Sequence, residues 1–255
     1  MSTIVITGAS RGIGRALARE YAQHGAAVVL LARDVDAIRT LAHEIKAAGG
    51  TAYYQRCDVR DRDQMRAAAV YSKKCLGHVD LVILNAGIGV PAWMEDFDSA
   101  EFRDVMDVNV QGLAHGLESF VPLLRAQGGG IIAGVSSLAD ARGYPGSAAY
   151  CASKAAASAL LESARVELRP KGIRIVTIRP GFVRTDMTAR NEFHMPFLLE
   201  PERAARIIRR RIERGRRVVQ FPWPIVWATR FVRHVPNWLF DMAMRSARRG
   251  EGVKG

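Results

Sequence analysis

Short apolar segments rich in β-branched residues alternate with longer amphipathic segments along the chain. Seven of the apolar segments have the length and composition of strands; they lie at residues 3–7, 27–32, 51–55, 80–84, 130–136, 173–178 and 217–221. The segments between them, such as VDAIRTLAHEIKAAGG, carry apolar residues at helical spacing. Strands that alternate with helices form a parallel sheet covered on both faces. We therefore predict a doubly wound α/β domain over residues 1–221, followed by a helical extension over residues 222–255.

Composition restricts the cellular setting. The three cysteines, Cys57, Cys75 and Cys151, have no Cys-x-x-Cys spacing, which argues against a disulfide framework or a zinc site and fits a reducing compartment. The six histidines also lack metal-ligand spacing, so we predict no metal site. The start of the chain passes directly into a strand pattern, and no uncharged apolar run reaches 18 residues. These features predict a cytoplasmic protein without a membrane-spanning helix.

A glycine-rich turn, TGASRGIG at residues 7–14, joins the first strand to the first helix. Such a turn needs glycines because its backbone passes close to a phosphate, which the N–H groups at the start of the helix then bind. An ordinary strand-to-helix turn is the alternative, but the position after the first strand favours a dinucleotide site. The predicted cofactor contacts here are Gly8, Ser10, Arg11, Gly12, Ile13 and Gly14.

The end of the second strand indicates which dinucleotide is bound. A protein that prefers NAD places an acidic residue there to hold the ribose 2′-hydroxyl, whereas this chain has Ala32 followed by Arg33. A guanidinium suits a 2′-phosphate, and Arg11 is a second candidate contact. We predict NADPH over NADH; the alternatives are that both arginines are only solvated, or that Asp34 permits use of NAD.

Polar tripeptides follow the next two strands, CDV at 57–59 and NAG at 85–87. In an open parallel sheet the ligand crevice lies beyond the carboxyl ends of the strands. The predicted contacts from these two tripeptides are Asp58, Val59, Asn85, Ala86 and Gly87.

Together with YCASK at 150–154 and RPGFVRT at 179–185, these motifs closely resemble the short-chain dehydrogenase/reductase family over residues 3–190. The resemblance implies a Rossmann-type fold and an NADP-dependent oxidoreductase acting on a carbonyl or secondary alcohol. It implies that Ser137 binds the substrate oxygen, with Ser136 as the nearest rival, and that Tyr150 is the general acid and base. Lys154 would hold the nicotinamide ribose, and Asn109 would anchor a water that links Lys154 to solvent. The residues implied to border the nicotinamide are Pro180, Gly181, Val183 and Thr185.

Tyr150 and Lys154 are four residues apart and so share one helix face. A phenol with a pKa near 10 is a poor base at neutral pH, and a neighbouring ammonium together with the positive charge of an oxidised nicotinamide lowers that pKa. We therefore expect Lys154 to shift the pKa of Tyr150 towards neutrality. Relatives pair through the helices that begin near Asn109 and Tyr150, so the resemblance also implies a homodimer or homotetramer. Small residues that would allow close helix approach are Ala152, Ala155, Ala156 and Ala159.

Apolar residues in the segment after the sixth strand predict a lid over a hydrophobic substrate, such as a lipid-like, steroid-like or aromatic ketone or alcohol. They are Met187, Phe193, Met195, Phe197, Leu198 and Leu199, and Trp93 and Met94 after NAG add to them. The alternative is that these side chains only pack the lid onto the body of the protein.

Residues 200–255 carry 14 Lys and Arg against 5 Asp and Glu, with tryptophans at 223, 227 and 238. Arginine with tryptophan on amphipathic helices is typical of segments that lie in a membrane interface. The alternatives are a flap over the substrate mouth or a subunit contact. Nucleic-acid binding is a weaker hypothesis because the segment is rich in apolar residues and has no recognised module. A catalytically silent dinucleotide-binding regulator is a further hypothesis, although none of Ser137, Tyr150 and Lys154 is replaced.

Overall fold

The computed structural model describes residues 2–190 and 195–251. Seven parallel strands form one sheet in the order β3-β2-β1-β4-β5-β6-β7. The strands are β1 (Thr3–Thr7), β2 (Ala27–Ala32), β3 (Thr51–Arg56), β4 (Leu81–Leu84), β5 (Gly130–Val135), β6 (Ile173–Pro180) and β7 (Val218–Phe221). Each predicted strand is present with ends that differ by at most two residues, and the predicted fold class is confirmed.

Helices cover both faces of the sheet. They are α1 (Gly12–Gln23), α2 (Val35–Ala47), α3 (Arg62–Leu76), α4 (Ser99–Met106), α5 (Gly112–Ala126), α6 (Ala148–Leu168), α7 (Pro201–Glu213), α8 (Trp223–His234) and α9 (Asn237–Glu251). The inner strands are buried on both sides, so their successive side chains enter two separate cores. Ile4 and Ile6 of β1 pack with α1, α2 and α7, whereas Val5 packs with α3, α5 and α6.

One irregularity interrupts the helical pattern that the sequence predicts around Asn109. Residues Asp107–Gln111 form a π-helical turn between α4 and α5. Such turns are rare and occur often at functional sites. This turn carries Asn109 into the interior, where the side chain is almost fully buried.

The C-terminal helices are attached to the body of the protein at the segment that follows β5. Arg142 donates hydrogen bonds to the carbonyl oxygens of Val232 (2.9 Å) and Val235 (2.6 Å), and to Oδ1 of Asn237 (2.6 Å). The Arg142 guanidinium also lies 4.1 Å from the ring centroid of Phe240. One side chain therefore holds the end of α8 and the start of α9 next to the segment that contains Ser137.

Candidate functional site

All strands are parallel, so their carboxyl ends meet at one edge of the sheet. The predicted cofactor contacts lie along this edge, in the turns after β1, β2, β3, β4 and β6. Two of them use their side chains for packing, since Val59 lies against α5 and Val183 is buried in the core that includes α1. Ile13 and Ala86 also pack against the two cores, and the role of the other residues in cofactor binding stays a prediction.

The glycine loop is held close to the end of β4. Gly8 has a φ of 65°, and a Cβ added there would lie 2.8 Å from the Cα of Ala86. The Asn85 amide donates to the carbonyl oxygens of Thr7 and Gly8, both at 3.1 Å. A Cβ on Gly14 would lie 2.2 Å from the carbonyl oxygen of Gly8. Glycine is required at these positions because backbone, which cannot move aside easily, occupies the space.

The start of α1 has the chemistry of an anion site. Arg11 occupies the N-cap position without a side-chain capping bond, and the first turn of the helix contains no acidic residue. Free N–H groups and the helix dipole at such an end attract negative charge. A Cβ on Gly12 would lie 3.1 Å from Cγ2 of Thr185, so the segment after β6 borders the same loop. The tight glycine cradle and this helix end fit the phosphates of a dinucleotide.

The end of β2 presents Arg33 at the surface, beside the same crevice. Its positive charge contributes to lowering the pKa of Asp58, whose main partner is the guanidinium of Arg60 at 2.8 Å. Asp34 accepts a hydrogen bond from the Ala37 backbone N–H at 3.0 Å and so caps α2. Arg11 pairs with Asp186 at 3.4 Å across the mouth of the crevice.

Ser137, Tyr150 and Lys154 converge beyond the end of β5. The Ser137 hydroxyl accepts from the Ala139 backbone N–H at 3.1 Å, and the Lys154 Nζ donates to the carbonyl oxygen of Val135 at 3.0 Å. The Lys154 Nζ also lies 5.6 Å from the centroid of the Tyr150 ring. Both the serine and the lysine are buried.

Burial dominates the electrostatics of this corner. It raises the pKa of Tyr150 above its ordinary value, and a side-chain hydrogen bond with Ser137 acts in the opposite direction. Burial lowers the pKa of Lys154 to about 8, while the negative charge of Asp140 acts to raise it. In this structure burial outweighs the Ser137 hydrogen bond and raises the pKa of Tyr150; the lowering expected from Lys154 together with a bound nicotinamide stays a prediction.

Asn109 acts on the backbone next to this corner. Its Oδ1 accepts from the Ile88 N–H and its Nδ2 donates to the Ile88 carbonyl, both at 2.8 Å. Nδ2 also donates to Oγ of Ser153 at 2.9 Å. A Cβ on Gly87 would lie 3.2 Å from both Asn109 Oδ1 and Lys154 Nζ. Asn109 thus connects the segment after β4 to the helix that carries Tyr150 and Lys154.

A buried polar network behind the corner was missed by sequence reasoning. Asp140 is paired with Arg179 of β6 and accepts from the Ser158 hydroxyl, whose oxygen also lies 2.8 Å from Oγ of Ser136. Ser136 in turn donates to the carbonyl oxygen of Lys154 at 2.9 Å. Strand alternation predicts that Ser136 faces away from the crevice, and its bonds to α6 agree with that. An aspartate in an otherwise apolar stretch after β5 was the available signal.

The mouth of the crevice is largely apolar. A Cβ on Gly89 would lie 3.2 Å from Cδ2 of Tyr150 and 3.4 Å from Sδ of Met187, so these two side chains lie next to the same glycine. Leu199 is buried and pairs with Val183, which means that it packs the lid onto the body. Phe197 is exposed, and the predicted lid residue Phe193 lies outside the described residues.

Similarity to known proteins covers most of the chain. The sequence model of the short chain dehydrogenase family matches residues 2–195. An uncharacterized oxidoreductase of Myxococcus xanthus is 39% identical over 246 residues, which are 96% of this chain and 97% of that protein.

Two solved structures share the architecture. An alcohol dehydrogenase from the archaeon Thermococcus sibiricus, complexed with 5-hydroxy-NADP, has a TM-score of 0.78 at 32% identity and covers 87% of this chain and 95% of its own. A 7α-hydroxysteroid dehydrogenase complexed with NADH and 7-oxo glycochenodeoxycholic acid has a TM-score of 0.80 at 30% identity. The match covers 86% of this chain and 92% of that one. The match of the family model over most of the chain, on a sheet whose carboxyl edge carries the expected motifs, shows that the chain belongs to the short-chain dehydrogenase/reductase family of nicotinamide-dinucleotide oxidoreductases.

Proposed function

We propose that this protein is an NADPH-preferring reductase of hydrophobic ketones or aldehydes. In the reverse direction it oxidises the corresponding alcohols. The observation that carries the proposal is the convergence of Ser137, Tyr150 and Lys154 beyond the end of β5, where Ser137 and Lys154 are buried and Tyr150 is half-buried. A hydroxyl donor, a phenol and an ammonium in this arrangement supply the groups that proton transfer to a carbonyl oxygen requires.

Each side chain in this corner has a definite role in the proposal. Ser137 donates a hydrogen bond to the substrate oxygen, and Tyr150 gives that oxygen its proton. Since burial raises the pKa of Tyr150, the phenol keeps its proton at neutral pH and is ready to act as an acid. Lys154 holds the ribose next to the reacting ring, and Asn109 fixes the Ile88 backbone beside it. When bound, the nicotinamide supplies or accepts the hydride.

The proposed cofactor contacts follow from the edge of the sheet. The turn over residues 8–14 holds the phosphates, Asp58 and residues 85–87 border the adenosine half, and residues 180–185 border the nicotinamide. Arg33 contacts the 2′-phosphate, which the engagement of Asp34 in capping α2 supports. A carboxylate that accepts from its own helix is less available to a ribose hydroxyl.

Arg33→Ala is expected to raise the KM for NADPH by roughly 10- to 100-fold, because a charge-assisted hydrogen bond to the 2′-phosphate is lost. The KM for NADH should change by less than about twofold, since that cofactor has no phosphate at this position. Steady-state kinetics with both cofactors measure the difference. Arg39→Ala, which removes an exposed arginine of α2 that pairs with Asp36, is the matched control. Equal changes in the two KM values would contradict a preference set by Arg33.

The apolar mouth supports a hydrophobic substrate. Met187 lies against the same glycine as Tyr150, Trp93 lies against Gly146, and Phe197 is exposed. The 7α-hydroxysteroid dehydrogenase among the similar structures acts on a substrate of this character.

A panel of carbonyl compounds, from short aldehydes to medium-chain ketones and steroid ketones, tests the substrate class. We expect kcat/KM for NADPH-dependent reduction to rise with apolar size, by about tenfold for every 55 Å² of additional apolar surface that the mouth covers. NADPH oxidation followed by absorbance measures it. A preference for small, charged carbonyl compounds would contradict the assignment.

We also propose that two copies of the chain associate through α5 and α6. The small side chains Ala152, Ala155 and Ala159 are exposed on α6 and would allow a second copy to approach closely. A homodimer or homotetramer is therefore expected.

A further inference from the structure

Helices α8 and α9 present large apolar side chains to solvent. Trp223, Trp227 and Phe231 are 73%, 63% and 72% exposed, and Trp238 and Met242 are 68% and 58% exposed. Members of each set are four residues apart, so each helix carries them on one face. We call these five side chains the C-terminal surface. Proteins that remain single in water rarely leave rows of large apolar side chains uncovered, which indicates that this surface has a partner.

Positive charge accompanies the aromatic side chains. Arg230 lies three residues after Trp227, and its guanidinium is 5.5 Å from the Trp227 ring centroid. Arg233 is exposed on α8, and Arg245 is exposed three residues after Met242 on α9. Residues 222–245 contain these three arginines and one acidic residue, Asp241. The partner therefore combines an apolar interior with negative charge.

This combination distinguishes an anionic lipid surface from a second copy of the chain. A two-fold contact between copies would bring two sets of arginines together, and like charges that face each other weaken association. Anionic headgroups attract the arginines, while tryptophan and phenylalanine rings settle at the boundary with the acyl chains. Among the residues that the structure describes, no helix is long and apolar enough to cross a bilayer.

We propose that α8 and α9 bind the surface of a membrane that contains anionic lipid, with the aromatic side chains of the C-terminal surface inserted at the interface. The helices lie on the bilayer, and their arginines contact the headgroups. Arg142 holds them next to the segment after β5, so binding brings the apolar mouth of the crevice close to the lipid. Lipid binding of this kind is independent of the proposed reductase activity.

Co-sedimentation of the full chain with vesicles tests the proposal. One set of vesicles contains phosphatidylcholine and phosphatidylglycerol in equal parts, and the other contains phosphatidylcholine alone. We expect strong pelleting with the first set, reduced by added salt, and weak pelleting with the second. The double substitution Trp227→Ser/Phe231→Ser should lower the partition coefficient by about tenfold or more, because apolar burial in the interface is lost. Arg230→Glu/Arg233→Glu should act similarly, but only on the anionic vesicles.

Matched controls separate this surface from general effects. Val70→Ser removes an apolar side chain that is 71% exposed on α3, and Arg39→Glu reverses an exposed charge on α2. Both should pellet as the unaltered chain does. The proposal is overturned if the unaltered chain does not pellet, or if all variants pellet equally. It is also overturned if analytical ultracentrifugation shows that Trp227→Ser/Phe231→Ser separates subunits while vesicle binding is unchanged. Activity with a water-dispersed substrate reports independently on the proposed reaction.

Discussion

Tyr150→Phe is expected to lower kcat for carbonyl reduction by about a thousandfold, because the side chain that donates the proton loses its hydroxyl. The ring stays in place beside Met187 and Gly89, so the fold and the crevice keep their shape. Binding of NADPH should change by less than about threefold, since the phenol acts on the substrate oxygen. Single-turnover kinetics and fluorescence titration of the cofactor measure the two quantities separately.

A control variant and the pH dependence of the two reaction directions sharpen the test of Tyr150. Tyr53→Phe removes a hydroxyl on β3, outside the crevice, and should leave kcat unchanged. In the unaltered protein, alcohol oxidation uses the phenolate and should rise with pH through the neutral range. Reduction uses the phenol, whose raised pKa keeps it protonated there. Titration of Tyr150 should therefore cause no change in the reduction rate over the neutral pH range. A Tyr150→Phe variant with more than about a tenth of the original kcat would exclude Tyr150 as the proton donor.

Gly14→Ala is expected to weaken NADPH binding by about a hundredfold or more and to lower the free energy of unfolding by roughly 1–3 kcal/mol. The added Cβ would lie 2.2 Å from the Gly8 carbonyl oxygen and 2.6 Å from the Asn85 amide nitrogen. Both the loop and the end of β4 would have to move, and the N–H groups at the start of α1 would no longer face the phosphates. Isothermal titration with NADPH and chemical denaturation measure the two effects.

Gly143→Ala is the matched control for Gly14. A Cβ at Gly143 meets no atom within 4 Å, and the residue does not have a positive φ. We expect NADPH affinity and stability close to those of the unaltered chain. Wild-type affinity in Gly14→Ala would contradict the assignment of the glycine loop to the phosphates.

The sheet could be predicted from the sequence because its inner strands are buried on both faces. Segments such as AVVLLA at 27–32 are apolar throughout, so their limits are visible where the apolar run stops. The meeting of the turns could be predicted for a related reason. Parallel strands place every following turn at one edge, so turns distant in sequence, such as those that contain Gly8 and Asn85, contact each other.

The remaining features depend on long-range contacts that a local pattern does not contain. The π-helical turn at Asp107–Gln111 arises in a segment with ordinary helical composition. The pairing of Asp140 with Arg179 joins residues 39 positions apart in sequence. The direction of the Tyr150 pKa shift depends on how completely the protein excludes water, and the four-residue spacing to Lys154 does not reveal that.

The attachment of the last two helices through Arg142 has a mechanical consequence. The guanidinium donates to carbonyl oxygens at the end of α8. Because the helix ends there, it has no later turn whose N–H groups could donate to these oxygens. Force or displacement applied to α8 would therefore be transmitted to the segment between β5 and α6, which contains Ser137 and leads into the first turn of α6 with Tyr150. A chain shortened before Trp223 would lose this brace and leave the Arg142 guanidinium without those acceptors. Changes in turnover after such a truncation would report on the geometry of the reacting groups as well as on the missing helices.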